Sequence, residues 1–515
     1  MDREVADIEI VTIDTPSGRL AGARSGQVAC FKGIPFARPP VGALRWRAPE
    51  PLEPWAGVRD AANFGPICPQ APTQVEALLG VAVGEQSEDC LHLNIWTPAC
   101  DDAKRPVMVW IHGGAFVLGA GSHGVYEGRW LAERGVVVVT INYRLGAFGF
   151  LALNAASGGG APGTGTEGLA DQILALDWVN RNIASFGGDP GNVTIFGESA
   201  GGMSVAMLLA MSPARGLYHK AIAQSGAAHI GHEPERSARV AHALLAEMKL
   251  ESHEAAKAID APYKAIIAAQ ISLVAKVNTG KDANRLGRLP FQPTIDGSLL
   301  SASPIATIRE GFARDIPLLI GTTKEEWKLF TAASPGMRLM SQKNFSERVE
   351  RLAGEAAQTM LEAYSSGSPY ERFNALMTDK AFAVPAARMA EAQGAVAPVF
   401  SYRFDWHSNF LGGIMGACHA LDIGFMFGSH RKRLLGTFFG TGAVAEQLSS
   451  DMMDAWVAFA RHGDPSTAST GKWPRYEQRT RPTMIFGDGA PHSVERPNEQ
   501  RLRAWDAIPE RRLGP

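Results

Sequence analysis

The chain has 515 residues, 45% hydrophobic and 20% charged, the proportions of a globular protein able to bury a large core. Fifty basic against fifty-two acidic residues leave a formal net charge of −2, which excludes the basic footprint of a nucleic-acid or anionic-membrane binder. No run of 18 or more apolar residues is present, and the opening Met1-Asp2-Arg3-Glu4 lacks the apolar stretch of a secretory leader, so no membrane span and a cytoplasmic location are expected.

Residues 8–13 alternate apolar with polar or acidic side chains, as a strand with one buried face does, and Pro16-Ser17-Gly18 follows as a turn. The pattern changes near Pro106. Residues 107–111, 136–141 and 193–196 are short, continuous apolar runs that end at Gly113-Gly114, Asn142-Tyr143-Arg144 and Gly197. Unbroken apolar strands bounded by such turns are what a sheet covered on both faces requires. Residues 158–165, opening Gly158-Gly159-Gly160, read as a mobile surface loop. Helical patterns cover 168–183 and 200–209, and alternating strands and helices imply a mostly parallel α/β sheet. Residues 317–320 and 399–404 are two later strands. The Ala- and Glu-rich stretches 232–275 and 341–393 are helix-forming, so helical insertions at 230–315 and 330–395 are expected within a single domain spanning 1–515.

The strongest local signal is Gly197-Glu198-Ser199-Ala200-Gly201, set directly between a strand and a helix. A sharp strand-to-helix turn lifts a serine hydroxyl above the sheet, and the helix aims its N-terminal N–H groups at the reacting centre. Ser199 is therefore the candidate nucleophile of an α/β-hydrolase fold. The second signal is Trp110-Ile111-His112-Gly113-Gly114-Ala115-Phe116, a Gly-rich loop closing an apolar strand. Such loops hold backbone N–H groups around a developing oxyanion; Gly114 and Ala115 are the expected donors, with Ala200 as the third and Gly113 in support. A serine hydroxyl needs a base that an acid orients, and in this fold the order along the chain is serine, acid, histidine. Among thirteen histidines, His419 follows a strand and an acid candidate; Glu325 and Glu326 both stand at the right place, and the pattern alone does not choose between them.

The chain resembles the type-B carboxylesterases, the family of cholinesterases and bacterial p-nitrobenzyl esterases, and looks most like the bacterial members. Phe31-Lys32-Gly33-Ile34-Pro35-Phe36-Ala37, Ser87-Glu88-Asp89-Cys90-Leu91-His92-Leu93-Asn94, Asn142-Tyr143-Arg144-Leu145-Gly146 and Phe186-Gly187-Gly188-Asp189-Pro190 carry the likeness, together with the two loops above. The resemblance implies that Glu326 is the catalytic acid, in Gly321-Thr322-Thr323-Lys324-Glu325-Glu326-Trp327, and that His419 is the base. Trp327 stands where the family has glycine, a departure expected to alter the turn or narrow the approach to the site. Asp422 replaces the family's glutamate as structural support. Glu198 matches an additional acidic residue near the family's active site. Arg45 with Glu88 and Arg144 with Asp171 match buried ion pairs. Cys68 and Cys90 match a pair disulfide-bonded in secreted relatives, whereas five sparse cysteines without CxxC or zinc-like spacing suggest reduced thiols.

The expected activity is hydrolysis of a small-molecule carboxylic ester through an acyl-enzyme on Ser199, with no metal or organic cofactor. The same triad acting on an amide or carbamate is the nearer alternative; a non-catalytic binding protein on this fold is the distant one. Pocket walls are expected around Gly80, Trp327 and Phe410.

Overall fold

The computed structural model describes residues 9–72, 84–280 and 282–514; Ile8 and Gly80 lie outside them. Two compact units are distinguished, residues 1–220 with 230–304, and residues 221–229 with 305–515.

The first unit is built on a sheet ordered β1 (Glu9–Thr15), β2 (Gly18–Ser25), β3 (Val28–Pro35), β5 (His92–Thr97), β7 (Val137–Ile141), β6 (Arg105–Ile111) and β8 (Gly188–Glu198), with β4 (Val58–Asp60) beside β2. The run from β1 to β7 is antiparallel; β6 is parallel to both β7 and β8. All five residues of β7 and the last five of β6 are buried. That burial is why these strands are Val- and Ile-rich without polar alternation, for β-branched side chains pack on both faces of a covered sheet. Helices α1 (Glu167–Asn182) and α2 (Ala200–Leu208) flank them. Register positions the chemistry: Ile111 at the end of β6 lies opposite Gly197 at the end of β8, so the loops that follow both strands leave the sheet side by side.

The expected helices at 232–275 appear as α3 (Pro234–Glu247) and α4 (Tyr263–Asn278). The Gly158 segment differs from expectation. Residues 158–160 are exposed, but Ala161, Gly163 and Gly165 are buried, Gly163 O accepts from Asn154 N and Gly165 O from Thr294 N. Glycines there admit close packing rather than mark a surface loop: a Cβ on Gly165 would stand 2.2 Å from Thr294 Oγ1.

The second unit has residues 221–224 of β9 (Lys220–Gln224), then β10 (Leu318–Thr323), β11 (Val399–Phe404) and β12 (Thr483–Phe486) in parallel, closed by antiparallel β13 (His492–Val494). Helices α5 (Gln342–Ala353), α6 (Pro369–Thr378) and α7 (Val384–Gly394) fill the expected helical stretch, and α8 (Ala443–His462) packs its Trp456 Nε1 onto Gln224 Oε1 at 3.2 Å. Among the described residues, no helix is long and apolar enough to cross a membrane.

Candidate active site

Ser199 sits between the end of β8 and the start of α2 with φ 55° and ψ −123°, a conformation side-chain-bearing residues rarely adopt. The turn is this tight because α2 starts against the end of β6. A Cβ on Gly201 would meet Ile111 O at 2.0 Å, and one on Gly197 would meet the same oxygen at 2.6 Å, so both flanking positions require glycine. Glu198, beside the serine, is buried.

The loop after β6 lies against this turn. A Cβ on Gly113 would stand 2.7 Å from Glu198 O and 3.1 Å from Ser199 Cβ. Gly114 has φ 113°, and Ala115 and Phe116 follow with φ 53° and 62°, so three successive residues hold the loop in the left-handed region. Among the described residues, no backbone carbonyl accepts from the N–H of Gly114, Ala115 or Ala200, whereas Gly114 O accepts from both Val117 N and Leu118 N. His112 braces the base of the loop. Its Nδ1 lies 2.8 Å from Gly113 O and therefore carries the hydrogen, its ring stacks on Tyr143 at 4.5 Å, and Tyr143 Oη donates to His112 O. Burial pushes the His112 pKa down to about 3, so the brace stays neutral.

In the second unit, Glu326 Oε2 lies 2.6 Å from His419 Nδ1. The other oxygen, Oε1, accepts from Ser225 Oγ at 2.7 Å and from Thr323 N at 2.8 Å, so the carboxylate is held from both sides and fully buried. Backbone bonds strap the two loops together: Glu325 N donates to Ala417 O, and His419 N to Glu326 O. The geometry separates the two acid candidates. Glu325 forms ion pairs with Lys328 and His407 and accepts from Ala417 N; burial would raise its pKa, but Lys328 and that N–H outweigh burial and lower it. Its role is to anchor the loop that delivers His419. On the other ring nitrogen's side of the imidazole edge, an oriented Nδ1–H leaves Nε2 as the basic atom.

Asp422 is buried and accepts from Gln224 Nε2 at 2.9 Å and Tyr402 Oη at 2.8 Å; burial raises its pKa, with Glu326 adding to the rise. Trp327 has φ −71° and ψ −13°, angles open to any residue, so this turn does not require glycine there. Its ring lies 4.9 Å from that of Phe330. Phe410 is partly buried, its ring 5.7 Å from Phe438. Ser225, at φ 46°, was not signalled by any motif; a lone serine after a short strand has no signature without its partner. The ion pairs form as expected, Arg144 Nη2 at 2.7 Å from Asp171 Oδ1 and Arg45 Nε at 2.6 Å from Glu88 Oε2. All five cysteines are free thiols.

A family model described as the carboxylesterase family matches residues 9–505. The para-nitrobenzyl esterase of Bacillus subtilis (strain 168) is 42% identical over 482 residues, 93% of this chain and 94% of that protein. The phenmedipham hydrolase of Pseudarthrobacter oxydans is 33% identical over 487 residues, 92% of this chain and 94% of that one. Among solved structures, a PNB esterase matches with a TM-score of 0.83 at 39% identity, covering 96% of this chain and 99% of the other. A Geobacillus stearothermophilus carboxylesterase matches with a TM-score of 0.85 at 36% identity, covering 96% and 100%. The chain thus belongs to the carboxylesterase family and is a serine-dependent carboxylic ester hydrolase on an α/β-hydrolase fold.

Proposed function

We propose that this esterase acts through Ser199 as nucleophile, His419 as general base and Glu326 as the acid that orients it. The contact that carries the reading is the 2.6 Å bond between Glu326 and His419 Nδ1, which fixes the tautomer with Nε2 as acceptor. In the first step Ser199 Oγ attacks the ester carbonyl as His419 takes its proton, and the C–O double bond opens to an oxyanion. The N–H groups of Gly114, Ala115 and Ala200 stabilise that charge without reorganising, since the loop angles already hold them. Collapse expels the alcohol, which receives the proton from His419, and leaves an acyl-serine. Water then repeats the sequence, releasing the acid and restoring Ser199. Glu198 supports the site from beside the nucleophile, and Gly113 by admitting the loop.

The substrate is a small-molecule ester, and the mechanism needs no metal or organic cofactor. The five free thiols support action in a reducing compartment, the cytoplasm. Hydrolysis of p-nitrophenyl acetate and butyrate by the purified protein tests the assignment. Ser199→Ala is expected to lower kcat by at least about 10³-fold with the thermal melt retained. A Ser199→Ala protein that turns over at the wild-type rate would show the nucleophile to be elsewhere.

A further inference from the structure

We infer that Phe382 is a positioning residue for His419, and that a wide helical turn is built into the fold to carry it. The inference rests on His419 being the base.

Between α6 and α7 the chain makes a π turn, Asp379–Ala383, in which Val384 N donates to Asp379 O, five residues back. Pro385, in the first turn of α7, has no N–H to offer Ala381 O and would press its ring on that carbonyl in a regular helix. Widening the preceding turn relieves the clash, and π turns of this kind concentrate at functional sites. Here the turn directs Phe382 at the imidazole of His419, ring centroids 4.8 Å apart and planes 36° from parallel. Phe330 approaches the same imidazole at 5.5 Å, but it is half exposed, whereas Phe382 is buried. The Glu326 bond meets the imidazole at its Nδ1 edge, and rotation about that bond tilts the ring. A fixed aromatic face removes the tilt, keeps Nε2 on its line of approach, and favours the imidazolium when it forms.

The turn is held from several directions. Asp379 is wholly buried and pairs with Arg501 Nε at 3.0 Å; Tyr364 Oη donates to its Oδ2 at 2.5 Å and in turn accepts from Trp505 Nε1 at 2.7 Å. Gly514 N donates to Lys380 O at 3.1 Å. Trp327 N donates to Thr378 Oγ1 at 3.1 Å, tying the residue after Glu326 to the residue before the turn. Residues 501–514 thus act on the base at one remove, through Asp379 and Lys380.

Saturation kinetics on p-nitrophenyl acetate and butyrate provide the test, with Phe382→Leu, Phe382→Tyr, Tyr364→Phe and His419→Ala in the intact chain. Phe382→Leu is expected to lower kcat by about 10–100-fold on both esters equally, with KM unchanged, and Phe382→Tyr to restore most of it. Tyr364→Phe, which loosens the turn and leaves the ring in place, is expected to lower kcat several-fold, and it carries the test if Phe382→Leu does not fold. A kcat within twofold of wild type for both Phe382→Leu and Tyr364→Phe overturns the inference. So does an altered ratio between acetate and butyrate, which would make Phe382 a wall of the substrate pocket. His419→Ala separates the two levels: activity retained there defeats the assignment of the base, while activity lost there with normal Phe382 and Tyr364 variants defeats only the positioning role.

Discussion

Gly113→Ala probes the spacing between the proposed oxyanion loop and the proposed nucleophile, Ser199. The added methyl would stand 2.7 Å from Glu198 O and 3.1 Å from Ser199 Cβ. Relief requires the loop and the turn to part by roughly 0.5 Å, given ordinary carbon contacts of about 3.5 Å and some give in the neighbours. Oxyanion donors work over about 2.7–3.1 Å, so half an ångström removes most of the value of one donor. One donor is worth about 10²–10³ in rate, or about 2.7–4 kcal/mol. The expected outcome is a kcat on p-nitrophenyl butyrate lower by about 10²-fold, with KM within about threefold, because the ground-state carbonyl uses these N–H groups less than the oxyanion does. A thermal melt on the same samples confirms that the loss is not unfolding. A Gly113→Ala enzyme with kcat within threefold of wild type would refute the placement of the oxyanion donors in this loop.

Two other predictions concern stability. Asp171→Ala strands the Arg144 guanidinium, which with its own N–H makes bonds of 2.7–2.9 Å to that carboxylate in a fully buried setting; a loss of about 3–5 kcal/mol in urea unfolding is expected, and a loss under 1 kcal/mol would argue against the pair as a structural requirement. His232 is buried and its pKa is pushed down to about 3 by burial, with Arg236 and Arg239 adding to the fall. Because the unfolded chain binds that proton near 6.5 and the folded chain does not, stability is full above about pH 6.5 and declines as pH falls from there toward 3. His232→Asn should therefore flatten the pH dependence of urea unfolding between pH 6.5 and 4 by up to about 1.4 kcal/mol per pH unit, and an unchanged slope would contradict the buried neutral state.

The central strands were legible because residues buried on both faces leave no polar alternation, and β6, β7, β10 and β11 fall where the apolar runs lie. The tight turn at Ser199 and the glycine loop after β6 were legible for a different reason. Each depends on contiguous glycines whose close contacts, Gly201 to Ile111 O and Gly113 to Glu198 O, tolerate no side chain. Which glutamate meets His419 was not legible from pattern, since Glu325 and Glu326 differ only in which way the loop turns them, one toward Lys328 and the other toward His419. Ser225 and Phe382 were silent for the same reason: each acquires meaning only from a partner far along the chain, Glu326 for Ser225, 101 residues on, and His419 for Phe382, 37 residues on. The Gly158 segment misled because glycine serves tight packing as readily as exposed turns.

The positive-φ residues have a consequence for selection. Ser199, Ala115, Phe116 and Ala420, the last directly after His419, are all non-glycine residues in the left-handed region or beyond it. Strain of this kind costs about 1–3 kcal/mol per residue, a sum comparable with the net stability of a whole domain. A library screened for heat resistance alone would accordingly enrich glycine where the side chain adds little packing, Ser199 included, though not at Phe116, whose buried ring packs on Phe150. Such a screen would gather sturdier proteins while discarding the chemistry, so in this chain catalytic competence persists only where turnover itself is under selection.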